Sequence, residues 1–150
     1  MRVHRVTRIV PHTPDQMFNL VGDVEHYPDF VPWVSGMRTW NKAMAEDGSN
    51  LLDAEASVRF AVLTERFSTR VRCDPAERVV NVSLISGPFR HLVNEWRFAD
   101  HPEGCQIDFF IEFEFRSRFL EALLDANFER AVNKLIGCFE KQADKLFGAR

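Results

Sequence analysis

Apolar and polar residues alternate along most of this chain, and a period of two is the mark of a half-buried strand. In the first ten residues Val3, Arg5, Thr7 and Ile9 alternate with His4, Val6, Arg8 and Val10, which predicts a strand. Six more are expected between Trp33 and Phe115. Leu52, Ala54, Ala56, Val58 and Phe60 oppose Asp53, Glu55, Ser57 and Arg59, and Leu63, Phe67, Val71 and Cys73 oppose Arg66, Ser68, Arg70 and Arg72. Val80, Val82 and Leu84 share one face of the next run, and Leu92, Trp96 and Phe98 one face of the run after it. In "CQIDFFIEFEF" the residues Ile107, Phe109, Ile111, Phe113 and Phe115 oppose Gln106, Asp108, Glu112 and Glu114. The turn signals "EDGSN", "DPAE", "SGPFR" and "DHPEG" separate these runs. The pattern predicts an antiparallel sheet with one wet and one apolar face. If neighbouring strands carry the arginines and the carboxylates, those charges offset each other.

Two stretches have helical spacing instead. In "HTPDQMFNLVG", Thr13 is a candidate N-cap, Pro14 fits the first helical position, Gln16 completes a capping box and Gly22 is a stop. From Ser117 to Gly148 the apolar residues Leu120, Leu124, Phe128, Ala131, Leu135 and Phe139 fall at steps of three and four. This predicts one helix of about thirty residues and roughly 45 Å. Gly137 inside it costs about 1 kcal/mol relative to alanine, which suggests a close approach by another group. Between the first helix and the first of the six strands lies "GDVEHYPDFVPW", unusually aromatic for a connection. Pro28 and Pro32 push Tyr27 and Val31 out of the α region, so only short, broken helical turns are expected there. The compact arrangement of these elements is a single α+β domain over residues 1–150, a curled sheet with the long helix across its concave face.

Composition sharpens this. Fourteen Phe against one Tyr supply bulk without a polar tip, which suits a wide apolar interior. A net charge of −3 argues against a general nucleic-acid binder, including DNA. Cys73, Cys105 and Cys138 are odd in number and far apart, neither a disulfide framework nor a zinc pattern, and read as reduced thiols of a cytoplasmic protein. The N-terminus lacks the apolar run of a secretory signal, and no stretch has the length of a membrane span. His4, His12, His26, His91 and His101 are scattered and no nucleophile motif occurs, so no catalytic residue is assigned and no enzyme is expected. Asp23, Glu25, His26 and Asp29 lack metal-ligand spacing and read as loop solvation.

"LVGDVEHYPDFVPW" resembles the N-terminal signature of the coenzyme Q-binding START-domain family, part of the polyketide cyclase/dehydrase-like superfamily. "SGPFRHLVNEWRF" resembles that family's Gly-Pro-Phe turn and following Trp strand, and "DFFIEFEFRSRFLEALL" its last strand and final helix. The resemblance runs from about residue 3 to residue 147. It implies the helix-grip fold, a curved seven-stranded antiparallel sheet around a long C-terminal helix with a cavity between them. It also implies non-catalytic binding of ubiquinone or a similar prenylated lipid in support of respiratory electron transport, with transient contact to a membrane surface and a location peripheral to the inner membrane. Aromatase/cyclase activity is a feature of distant superfamily members.

Under that resemblance Tyr27, Phe30, Val31 and Trp33 form a lid or portal, or else plug the edge of the core. Phe89 in its turn is a second portal element. Phe60, Phe67, Leu84, Leu92, Trp96, Phe109 and Phe113 line the cavity from the strands, and Phe128, Leu135 and Phe139 from the helix. Glu65 and Asn94 have inward parity; Asn94 is a candidate donor to a quinone carbonyl unless a bulge turns it outward. Bacterial members of the family include ribosome association toxins. Under that alternative Arg66, Arg70 and Arg72, with Arg59, contact RNA of the 50S ribosomal subunit; the competing reading is a solvated face balanced by acidic neighbours.

Overall fold

The computed structural model describes residues 2–60, 63–125 and 127–148, the side chains of Phe60, Leu63, Leu124 and Asp125 excepted. Strand β1 (Arg2–Val10) is followed by helix α1 (Pro14–Gly22) and a 3-10 helix (Val24–Asp29). Strands β2 (Val34–Met44), β3 (Asn50–Phe60), β4 (Leu63–Asp74), β5 (Val79–Ser86), β6 (Phe89–His101) and β7 (Gly104–Phe115) come next, then α2 (Arg118–Asp125) and α3 (Phe128–Phe147). The strands form one antiparallel sheet in the order β1-β7-β6-β5-β4-β3-β2, so chain neighbours are sheet neighbours except where β1 closes beside β7. This is the α+β arrangement expected from the alternation, and it matches the helix-grip fold that the resemblance implies.

The local chemistry explains the boundaries. Thr13 and Gln16 exchange hydrogen bonds at the start of α1, with Pro14 at its first position, a complete capping box. Gly22 is the last helical residue rather than a left-handed stop: a Cβ there would lie 3.1 Å from Cys73 Sγ, so glycine lets α1 approach β4. At the β5–β6 turn Gly87 has φ +148°, and a Cβ would lie 2.5 Å from that of Phe67. Both conformation and packing demand glycine at that turn.

The C-terminal helix differs from expectation. Instead of one rod from Ser117 to Gly148 there are two helices, α2 and α3. Ser117 caps α2 through its hydroxyl and carbonyl, and Asn127, at φ −121° and ψ 5°, lies outside helical geometry before α3 begins. The physical reason is that each piece follows a different surface. Helix α2 rides on β7, where Leu120 is buried and Glu121 accepts the Phe115 N–H, whereas α3 enters the grip. Spacing at steps of three and four continues across the break, so it carries no signal of it. The buried stripe of α3 runs through Val132, Ile136, Phe139 and Ala143; Ala131 and Leu135 flank it, half-buried. Nothing lies within 4 Å of a Cβ built on Gly137, so the close approach expected there does not occur.

Register aligns the inner face in rows. Val6, Phe109, Trp96, Val80 and Cys73 form one row across β1, β7, β6, β5 and β4. His4, Ile111, Asn94, Val82, Val71 and Leu52 form the next, and beyond it Phe113 faces Leu92. Helix α3 is bound to the edge strand by polar contacts: Arg8 reaches Glu140 at 3.0 Å and Asn133 at 3.1 Å, and His12 Nε2 lies 2.7 Å from Asp144 Oδ1.

Candidate functional site

Two aromatic clusters clamp α3. Toward its C-terminal half Phe139 meets Trp96, Tyr27 and Phe30 edge-on at 5.1–5.2 Å between ring centroids, and Trp96 in turn meets Phe109 at 4.7 Å. At its N-terminus Phe128 meets Phe113 at 4.4 Å and His4 at 5.8 Å. That second cluster extends through Phe115 and Phe89, stacked at 4.7 Å, to Phe67, 5.5 Å from Phe89. Edge-on packing of this kind adds about 0.5–1.5 kcal/mol per pair beyond burial.

Between the clamps the packing loosens. Phe109, Trp96 and Val80 are buried on one side, and Phe113 and Leu92 on the other. Yet Ile111, Asn94 and Val82, in the row between them on the same inward face, keep accessible surface. So does Leu135, which lies between Phe128 and Phe139 along α3. The residues Ile111, Asn94 and Val82 are thus less buried than their neighbours on either side of the inner face, although Val71, further along the same row, is buried.

The polar groups of this interior are specific. Asn94 has the inward parity expected of it, and no bulge turns it outward. Its amide donates to the Phe110 carbonyl at 2.8 Å and its oxygen accepts the Trp96 indole N–H at 2.9 Å. A carboxamide has a second N–H, for which the described residues supply no acceptor. Glu65, half-buried opposite Val58, lies near the β3–β4 end instead. His4 was not singled out by sequence; its Nε2 is shielded beside the Phe128 ring and has no hydrogen-bond partner among the described residues. Only its place on the inward parity of an edge strand could have flagged it.

The lid segment is drawn inward. Tyr27 donates to the Val21 carbonyl, and burial pushes its phenol far above the ordinary range. Val31 is fully buried, Trp33 is half-buried and its carbonyl accepts the Arg59 N–H at 2.8 Å. Tyr27 and Phe30 therefore close one side of the clamp on Phe139, while Phe67 and Phe89 sit with the other cluster. Leu84 is half-buried on the inner face, and the side chain of Phe60 lies outside the described residues.

Outside the grip, charge is largely neutralised in place. Arg70 bonds Asp53 at 3.0 Å across the β3–β4 pair, and together with Asn41 it holds that carboxyl below the usual range. Arg72 pairs with Asp47, whereas Arg59 and Arg66 are exposed without an acidic partner among the described residues. His26 pairs with Asp23 at 2.7 Å, which raises its pKa, and Glu25 bonds Thr39 and Lys42, so these groups serve local contacts. Burial pushes Cys73 and Cys105 up to about 11. A polar cleft of about 460 Å³ on the outer face is bordered by Arg5, Thr7, Glu95, Arg97 and Asp108, and one of about 320 Å³ lies between Asp23–Glu25 and the β2–β3 hairpin. Neither lies beneath α3. No helix of the described residues is long and apolar enough to cross a membrane.

Comparison with known proteins agrees with this architecture. The chain is 32% identical over 143 residues to the ribosome association toxin RatA of Rickettsia prowazekii, covering 93% of this chain and 94% of that one. It is 29% identical over 146 residues to the mitochondrial coenzyme Q-binding protein COQ10 homolog B of Xenopus laevis, covering 95% of this chain and 58% of that longer protein. The solution structure of the 18 kDa protein CC1736 from Caulobacter crescentus superposes with a TM-score of 0.83 at 51% identity, over 99% of this chain and all of that one. Residues 10–140 match the family described as polyketide cyclase / dehydrase and lipid transport, and the chain belongs to that family.

Proposed function

We propose that the protein binds an apolar ligand of the ubiquinone type, a polar ring on a prenyl tail, between the sheet and α3, and that it carries this ligand without transforming it. The observation that carries the reading is the partly accessible trio Ile111, Asn94 and Val82, with Phe109, Trp96 and Val80 buried on one side and Phe113 and Leu92 on the other. Apolar walls suit a prenyl tail, each buried methylene of which contributes about 0.8 kcal/mol. The spare Asn94 N–H suits a quinone carbonyl. The similarity to a protein named for coenzyme Q binding supports the choice of ligand. Tyr27, Phe30, Val31 and Trp33 then close one side of the site and Phe89 the other. Mass spectrometry of an organic extract of gently purified protein is expected to find quinone. An empty extract, together with no uptake of added quinone, removes the proposal.

A second reading is association with the large ribosomal subunit, favoured by the RatA relative and by exposed Arg59 and Arg66, which have no acidic partner among the described residues. Arg70 and Arg72 are weaker contributors, because Asp53 and Asp47 already hold them. Sedimentation of extracts containing excess protein separates the readings: accumulation of free subunits, lost on Arg66→Glu, favours the ribosome.

A further inference from the structure

The molecule is electrically polarised along its strands. The turns β2–β3, β4–β5 and β6–β7 share one end of the sheet and carry Glu46, Asp47, Asp74, Glu77, Asp100 and Glu103, against which stand Arg72, paired with Asp47, and Arg78, paired with Asp15 and Asp100. At the other end, where β3 meets β4, β5 meets β6 and β7 meets α2, stand Arg59, Arg66, Arg90, Arg116 and Arg118, all exposed. Of the carboxylates there, Glu65, Glu114 and Glu121 are half-buried, Glu121 accepting the Phe115 N–H, and Glu129 at the start of α3 is exposed. A protein of net charge −3 thus presents one basic end.

That end also carries apolar surface. Phe119 on α2 is 64% exposed although Leu120 beside it is buried, and Ile85, at the end of β5, is 46% exposed. The platform beneath them is firm: Arg116 donates from its backbone N–H to the Pro88 carbonyl and from Nε to the Phe89 carbonyl, tying the β7–α2 junction to the β5–β6 turn. The same turn brings Phe89 into the aromatic cluster at the N-terminus of α3.

We infer that this basic end is a docking surface for a bilayer of anionic phospholipid, with Arg90 and Arg118 at the headgroup phosphates and Phe119 inserted at the interface. Exposed cations around a protruding aromatic are what such a surface recognises. Charge alone would serve a nucleic acid equally, but an exposed Phe on an amphipathic helix gains most from the apolar side of a headgroup layer. The inference gives the carrier reading a route for ligand between bilayer and grip, and it rests on that reading only for its purpose.

The test is co-sedimentation of the ligand-free, full chain with vesicles of phosphatidylcholine, alone or mixed with phosphatidylglycerol, run beside quinone uptake. Binding to the mixed vesicles only, weakened by salt, is expected. Each basic residue near such a surface strengthens binding about fivefold, so Arg90→Glu with Arg118→Glu should weaken it about twenty-five-fold or more. Phe119→Ala should weaken it severalfold at any salt concentration, and both variants should retain their circular dichroism and quinone uptake. Equal binding to both vesicle types, no binding, or full binding by the double variant overturns the inference. So does charge-dependent binding of ribosomal RNA in place of vesicles. Loss of quinone uptake with vesicle binding intact counts against the carrier reading and leaves the surface standing.

Discussion

The indole nitrogen of Trp96 donates to the side-chain oxygen of Asn94, 2.9 Å away and two positions back on the inner face of β6. This bond fixes the ring that α3 leans on through Phe139 and satisfies a donor buried with its residue at 3% exposure. Asn94→Leu removes that acceptor and strands the indole N–H, at a cost of about 1–3 kcal/mol. Urea denaturation measures it. An Asn94→Leu protein as stable as the parent would mean that the bond contributes nothing to the folded state.

Phe139 joins Trp96, Tyr27 and Phe30 at one clamp, so its truncation has a larger effect than the loss of one ring. Phe139→Ala should destabilise the protein by about 3–5 kcal/mol. Thermal unfolding followed in the near ultraviolet reads this directly, since the Trp96 environment is lost in the same step.

The proposed ligand space beneath α3 predicts an asymmetry between neighbouring rows. Val82→Phe adds volume where surface is accessible, and should cost less than about 1 kcal/mol while excluding quinone. Val80→Phe adds it to a position 1% exposed and should cost about 1–3 kcal/mol from overpacking. Equal costs at the two positions would place the same density in both rows and remove the space.

Gly137 and Gly87 should respond in opposite senses. Gly137→Ala meets no atom within 4 Å and gains helix propensity, so stability rises by about 1 kcal/mol. Gly87→Ala meets the Phe67 Cβ at 2.5 Å from a left-handed backbone and is expected to destabilise the β5–β6 turn. Paired denaturant midpoints decide both.

Asp53 gives a pH dependence of known sign. Arg70, with Asn41, holds its carboxyl below the ordinary range in the folded state. A depressed folded pKa contributes stability that is complete above the unfolded value, near 3.9, and is lost as pH falls through the folded one. Arg70→Ala should therefore lower stability at neutral pH and flatten the fall below about pH 4, as followed by urea midpoints across that range. An unchanged slope in the variant would assign the acid sensitivity to other carboxylates.

Much of this was legible in the chain. Alternation located six of the seven strands by residue and β2 only as a further run after Trp33, and the Thr13–Gln16 box and its proline located α1. Opposed charges on adjacent runs anticipated Arg70 on Asp53. The break before Phe128 was not legible, because Leu124 and Phe128 keep helical spacing on either side of it and the cause is a change of supporting surface. The partners of Asn94 were also hidden: one is a carbonyl of the next strand, which every residue possesses, and the other depends on ring orientation. Accessible surface over Ile111 and Val82 cannot be told from filled core by residue type, since both are ordinary sheet residues.

The division of the C-terminal segment at Asn127 has a thermodynamic consequence. A continuous rod would have melted as one cooperative unit; two rods with separate supports have separate opening free energies. Hydrogen exchange should therefore release the amides of α2, which rests on β7, well before those of Ile136 and Phe139. The outer rod can exchange its surroundings while the inner one keeps the clamp shut.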